Sequence, residues 1–144
     1  MKKFIAVSLL AIAAASPALA KNNAVQISLQ SVLEMPEAQG KLDGVRFVLA
    51  GAKAQPKVIK KLGTDSSNAR TNAFNKTPEE ACRWNALSAL IKFAEHARRD
   101  NANAVVDIVS IREHVEFKNE TDIECSDGTF AAGISLRGTY ANIK

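Results

Sequence analysis

The stretch Thr77–Asp100, "TPEEACRWNALSALIKFAEHARRD", decides the fold, because it is the one long helical pattern after the N-terminal apolar run. A threonine hydroxyl at position 77 can accept the amide proton of Glu80, the Glu80 carboxylate can reach back to the Thr77 amide, and Pro78 sits where no donor is needed. Wound at about 100° per residue, Cys82, Trp84, Ala86, Leu87, Ala89, Leu90, Ile91, Phe93, Ala94 and Ala97 share one wide arc. Asn85, Ser88, Lys92, Glu95, His96 and Arg99 take the opposite arc, which predicts a solvent-facing His96. So wide an apolar stripe needs a sheet under it and some cover on its flanks. The helix should end near Asp100, with Asn101-Ala102-Asn103 as the turn.

Downstream, Ala104–Phe117 is β-branched and reads as a long strand that crosses and bends, with Ile111, Glu113, Val115 and Phe117 on one face and Arg112, His114 and Glu116 on the other. "KNET" reads as a turn, "DIEC" as the start of a return strand, and "SDG" as a second turn or bulge. In the last segment Phe130, Ala132, Ile134, Leu136 and Tyr140 alternate with smaller or polar residues, the pattern of a half-buried strand. Upstream, Ser28 can cap a short turn, Pro36 and Gly40 bound a brief helix over Pro36–Gln39, Gly44–Gly51 reads as a strand, and Pro56 introduces another in "KVIKKLGT". Asp65–Lys76 is polar and Asn-rich and reads as a long loop. The sum is an α+β domain, one long helix packed on a mainly antiparallel sheet of four or five strands.

The N-terminus carries Met1-Lys2-Lys3, then an apolar run from Phe4 to Ala15 broken only by Ser8, then Ala18-Leu19-Ala20 before Lys21. That order predicts a secretory signal peptide over residues 1–20, cleaved after Ala20, with no cysteine at the junction to take a lipid. Removing it leaves residues 21–144 as one domain and lowers the formal charge from +4 to +2, since two lysines leave (17 basic against 15 acidic residues remain). The expected location is periplasmic or secreted. No later apolar run is long enough to span a bilayer, and no internal repeat stands out.

Chemistry is sparse. Of the two cysteines, Cys82 is past the first helical turn, where the helix dipole acts most, and Glu79 and Glu80 oppose its ionisation. His96 lies 14 residues further on, about 21 Å along the axis, out of reach of the thiol. Two cysteines in an exported chain usually pair, so a Cys82–Cys125 disulfide is expected; a redox-active pair or a catalytic thiol is the alternative. Glu113, His114, Glu116, Glu120, Asp122, Glu124 and Asp127 lack the order and glycine of a calcium loop and read as a solvated hairpin face, so no metal or cofactor is expected. Phosphate loops, dinucleotide fingerprints and serine-hydrolase elbows have no match in the chain.

Charge is segregated. Ala50–Thr77 holds six basic residues and one acid, and Asn101–Asp127 seven acids and two bases. The favoured reading is pairing of the two segments within the fold. The alternative is a surface, centred on Lys57, Lys60 and Lys61, for anionic lipid or another acidic envelope component. Nucleic acid is a poor fit to a strip whose one aromatic residue is Phe74.

"TNAFNKTPEEACRWNALSAL", "NANAVVDIVSI" and "IECSDG" together resemble a group of small uncharacterised exported bacterial proteins that often carry the label excinuclease ATPase subunit. An export signal without a phosphate loop or paired zinc-binding cysteines gives that label nothing to work with. More distantly, the helix followed by "NANAVV" is similar to the YbjQ-like fold, which the envelope stress sensor RcsF shares. The resemblance implies a compact α+β domain with a protein-binding role and supplies no functional residue. The expectation is therefore a non-enzymatic periplasmic domain that binds an envelope protein or an anionic envelope component.

Overall fold

A computed structural model describes residues 22–144; the expected signal peptide lies outside the described residues. In chain order the elements are β1 (Asn22–Ser28), α1 (Leu29–Leu33), a 3₁₀ turn (Pro36–Ala38), β2 (Arg46–Leu49), β3 (Val58–Asn72), α2 (Pro78–Arg99), β4 (Ala104–Arg112), β5 (Val115–Phe117), β6 (Asp122–Gly128) and β7 (Ala131–Ile143). The expected four or five strands are seven, in one curled mixed sheet that holds 47% of the described residues against 24% in helix. The picture of a long helix on a small, mainly antiparallel sheet is thus overturned: among the described residues α2 is the one helix longer than two turns, and it lies against a sheet that wraps it.

β7 organises that sheet. One of its edges pairs antiparallel with β3 along the whole length, from Asn72↔Ala131 to Val58↔Ile143. The other edge is shared: β6 takes Ala132 and Gly133, and β4 takes Leu136 to Ala141. β1 lies outside β6, and β2 runs parallel to β4, with Arg46 opposite Ala104.

The errors in strand count have identifiable causes. Asp65–Asn72 was expected in a loop because it carries almost no apolar side chains, yet it is the second half of β3. Backbone pairing to β7 holds it, and an edge strand with an open face needs few buried side chains; Ser67 is the one fully buried residue of β3. The bend expected in Ala104–Phe117 is a two-residue reversal: Glu113 and His114 both have left-handed backbone (φ 51° and 64°), and β5 folds back on β4 with Arg112 opposite Val115. "SDG" is no turn but the end of β6, and the turn is Thr129-Phe130, which leaves Phe130 exposed rather than inward.

The helix ends where the pattern puts them. The Glu80 amide donates to Thr77 Oγ1 at 3.1 Å. At the other end Asn101 takes a left-handed conformation (φ 56°) while the Ala102 amide reaches back to the Ala97 carbonyl at 2.8 Å, closing the last turn. Five alanines on the buried face, 81, 86, 89, 94 and 97, keep the helix close to the sheet, and Leu87, Leu90 and Phe93 fill the space between. Cys82 bonds Cys125 across that seam.

Candidate functional site

The sequence-derived candidates are dispersed. Cys82 and Cys125 form a disulfide with Cα atoms 6.0 Å apart, tying α2 to β6, and their side chains are 0% and 1% exposed. A buried bridge between elements braces the fold and offers no sulfur to a partner thiol.

The basic strip is divided by its neighbours. A bulge in β4 turns Asp107 outward (φ 55°), and its carboxylate takes Lys61 Nζ at 3.0 Å; Lys53 pairs with Glu120 at 3.3 Å. Two basic side chains therefore pair with the acidic segment, while Lys57, just before β3, and Lys60, near its start, remain exposed. The Lys57 carbonyl accepts the Lys144 amide, so this end of the strip adjoins the last strand.

His96 does not face solvent freely. It sits half-buried between two carboxylates, Nδ1 3.2 Å from Asp65 and Nε2 3.1 Å from Asp100, and its ring stacks on Tyr140 with centroids 4.2 Å apart. Burial, and then the Asp65 carboxylate, hold the Tyr140 phenol well above the usual tyrosine range, so it stays protonated and points its hydroxyl at Asp65. Both imidazole nitrogens are engaged, so the cluster clasps α2, β3 and β7 together.

The site the sequence did not announce is a cleft of about 610 Å³ where the sheet divides. Between Gly133 and Leu136 the edge of β7 passes from β6 to β4, and Ile134 and Ser135 have no strand partner there. β6 and β4 are stitched across the gap by the Glu124 amide to Ser110 Oγ (2.9 Å) and by Arg112 Nε to Glu124 (3.1 Å). Ala131, Gly133 and Ser135 form the floor, small side chains that leave the space open.

The two walls differ in charge. On one, Arg112 engages Glu124 and, at 3.6 Å, Glu113, to which Asn22 also donates. On the other, Lys92 donates to the Asn68 carbonyl and Arg70 stands directly opposite Gly133. A glycine offers no cross-strand side chain, and among the described residues Arg70 has no ion-pair or hydrogen-bond partner. The cleft thus has a wall where one arginine meets two glutamates, net negative, and a cationic wall facing it. The clue in the sequence was slight: Asn68 and Arg70 alternate as on a strand, and only the pairing to β7 sets them over a floor of small residues.

No known protein family and no curated protein matches this chain. The site is therefore read on its own geometry.

Proposed function

We propose that the chain is an exported, non-enzymatic binding domain whose ligand is a component of the bacterial envelope, held in the cleft at the split of the sheet. The observation that carries the reading is Arg70, an unpartnered guanidinium laid over a glycine and serine floor. An arginine fork without a carboxylate of its own is a ready receptor for an oxyanion. Export rests on the predicted leader and on the disulfide, which belongs to an oxidising compartment. Among the described residues no helix is long and apolar enough to cross a membrane.

Two measurements test this. Alkylation of the unfolded protein without reductant should find no thiol, and two free thiols would remove the support for export. A photo-crosslinking residue placed at Ser135 in living cells should give a discrete adduct, while the same residue at Ser88 on the outer face of α2 should not. Adducts from position 60 instead would move binding to the Lys57/Lys60 surface; adducts from none of the three would overturn the binding role.

A further inference from the structure

Building on the binding role proposed above, we infer that the cleft takes a phosphate-bearing amphiphile, an anionic lipid whose headgroup lies against Arg70 and Lys92 and whose apolar part meets Phe74 and Phe130. Asn68 and Arg70 lie two apart on β3 and share its outer face, and Lys92 Nζ rests on the Asn68 carbonyl, so two cations flank one asparagine. Lys92 keeps further N–H groups beyond that bond, and the hydroxyls of Ser126 and Ser135 line the same space. The third cation of the cleft, Arg112, is taken by Glu124 and Glu113. That wall keeps one carboxylate charge in excess, so an anion is drawn to the opposite wall alone, where Arg70 and Lys92 are positive and rich in N–H donors, which suits a compact oxyanion.

The apolar half of the ligand follows from what continues along the same two strands. Arg70 faces Gly133, the ladder ends at Asn72 opposite Ala131, and beyond it come Phe74 and Phe130, 75% and 79% exposed. The Ala73 amide donates to the Phe130 carbonyl at 3.1 Å, which holds the two aromatic tips at the same end of the molecule. Phe74 is four positions beyond Arg70, in the turn that follows β3, so the two are at most roughly 14 Å apart at the rise of an extended chain. A headgroup and the first part of an acyl chain span such a distance. A soluble phosphate would use the cationic wall and leave the aromatic pair in water; a bilayer surface engages both, since aromatic side chains settle at the lipid–water boundary.

The test is flotation of the mature protein with vesicles of equal parts phosphatidylglycerol and phosphatidylcholine, compared with pure phosphatidylcholine, alongside an NMR titration with inorganic phosphate. Binding should require phosphatidylglycerol, weaken with salt, and fall about thirtyfold in the Arg70→Gln/Lys92→Gln double variant. Phe74→Ser/Phe130→Ser should also reduce flotation while leaving the phosphate-induced shifts at Ser135 in place. Lys57→Gln/Lys60→Gln should float as the parent does. All six side chains are at the surface, and matched thermal unfolding of the variants confirms that folding is not what changes. Flotation unaffected by the Arg70/Lys92 pair, or abolished by the Lys57/Lys60 pair, overturns the inference. Phosphate shifts without any flotation overturn the amphiphile. If Ser135 crosslinks to a protein while flotation is absent, the binding role stands and the lipid does not.

Discussion

Gly138 is where the seat of the helix on the sheet is set by a single hydrogen. A β-carbon there would come 2.7 Å from Val105 Cγ1 and 3.3 Å from Ile108 Cγ1, both fully buried, with Phe93 Cζ of α2 at 3.5 Å. Gly138→Ala should therefore cost about 1–3 kcal/mol by overpacking, read as a lower urea midpoint with unchanged slope. Asn85 poses the opposite case. The helical pattern puts it in the polar arc, yet it is 1% exposed and its Nδ2 finds no protein acceptor. An unmet buried donor costs about 1–3 kcal/mol, so Asn85→Leu, which keeps the branched shape and the number of heavy atoms, should raise stability by about 1 kcal/mol; a lower melting temperature would show that the amide is satisfied or that the site has no room for the bulkier methyl groups. Residue type alone could not reveal this, because α1 and β1 cover a flank of α2 that periodicity assigns to water.

At the scale of elements, legibility depended on whether side chains or backbone hold the segment. α2 was readable to its ends, since the Thr77 cap, the apolar arc and the Asn101 turn are side-chain signals. The second half of β3 was not, since its order comes from the ladder to β7, and Asp65, Ser66 and Asn68 carry no strand signal of their own. The β4–β5 reversal was hidden for a related reason. A two-residue hairpin with left-handed backbone at both positions favours Asn-Gly, and here it is made by Glu113 and His114. Relief of that cost predicts that His114→Gly stabilises the protein by about 0.5–1 kcal/mol, with shifts confined to residues near the hairpin. The clasp at His96 is an element-level device too. It gathers one carboxylate from β3 and one from the end of α2, so His96→Leu should leave the fold intact and increase amide hydrogen exchange along Asp65–Ser67 several-fold. Unchanged exchange there would mean that the β3–β7 ladder alone holds the edge.

For the whole molecule, the sequence was a better guide to the disulfide than to the architecture: two cysteines behind a predicted leader pointed to a bridge, while the seven-stranded curled sheet and its cleft depended on pairings between residues far apart in the chain. The cleft exists because one long strand serves two shorter ones along a single edge, and no local pattern marks the place where β6 yields to β4. That same division gives the disulfide its importance. β6 pairs with β7 at only two positions, whereas β4 pairs with it at five; beyond those two rungs the β1–β6 wing is held by the Ser110 and Arg112 bonds to Glu124 and by α2, to which Cys82–Cys125 is the covalent link. With a sequence separation of 43 the bridge should contribute about 4 kcal/mol by restricting the unfolded chain. Cys82→Ala/Cys125→Ala should accordingly lower the melting temperature by roughly 10–20 °C. A purely entropic bridge would do so by lowering the global stability alone, so that amides exchanging through global unfolding lose protection to the same extent in both parts of the sheet. If instead the bridge anchors the wing, exchange should rise first in Val25–Ile27 and Ile123–Cys125, well below the melting temperature, while β3, β4 and β7 stay protected. Uniform loss of protection across both groups would show that wing and main sheet form one cooperative unit without the disulfide, and that the two-rung junction at Ala132 and Gly133 is stronger than its length suggests.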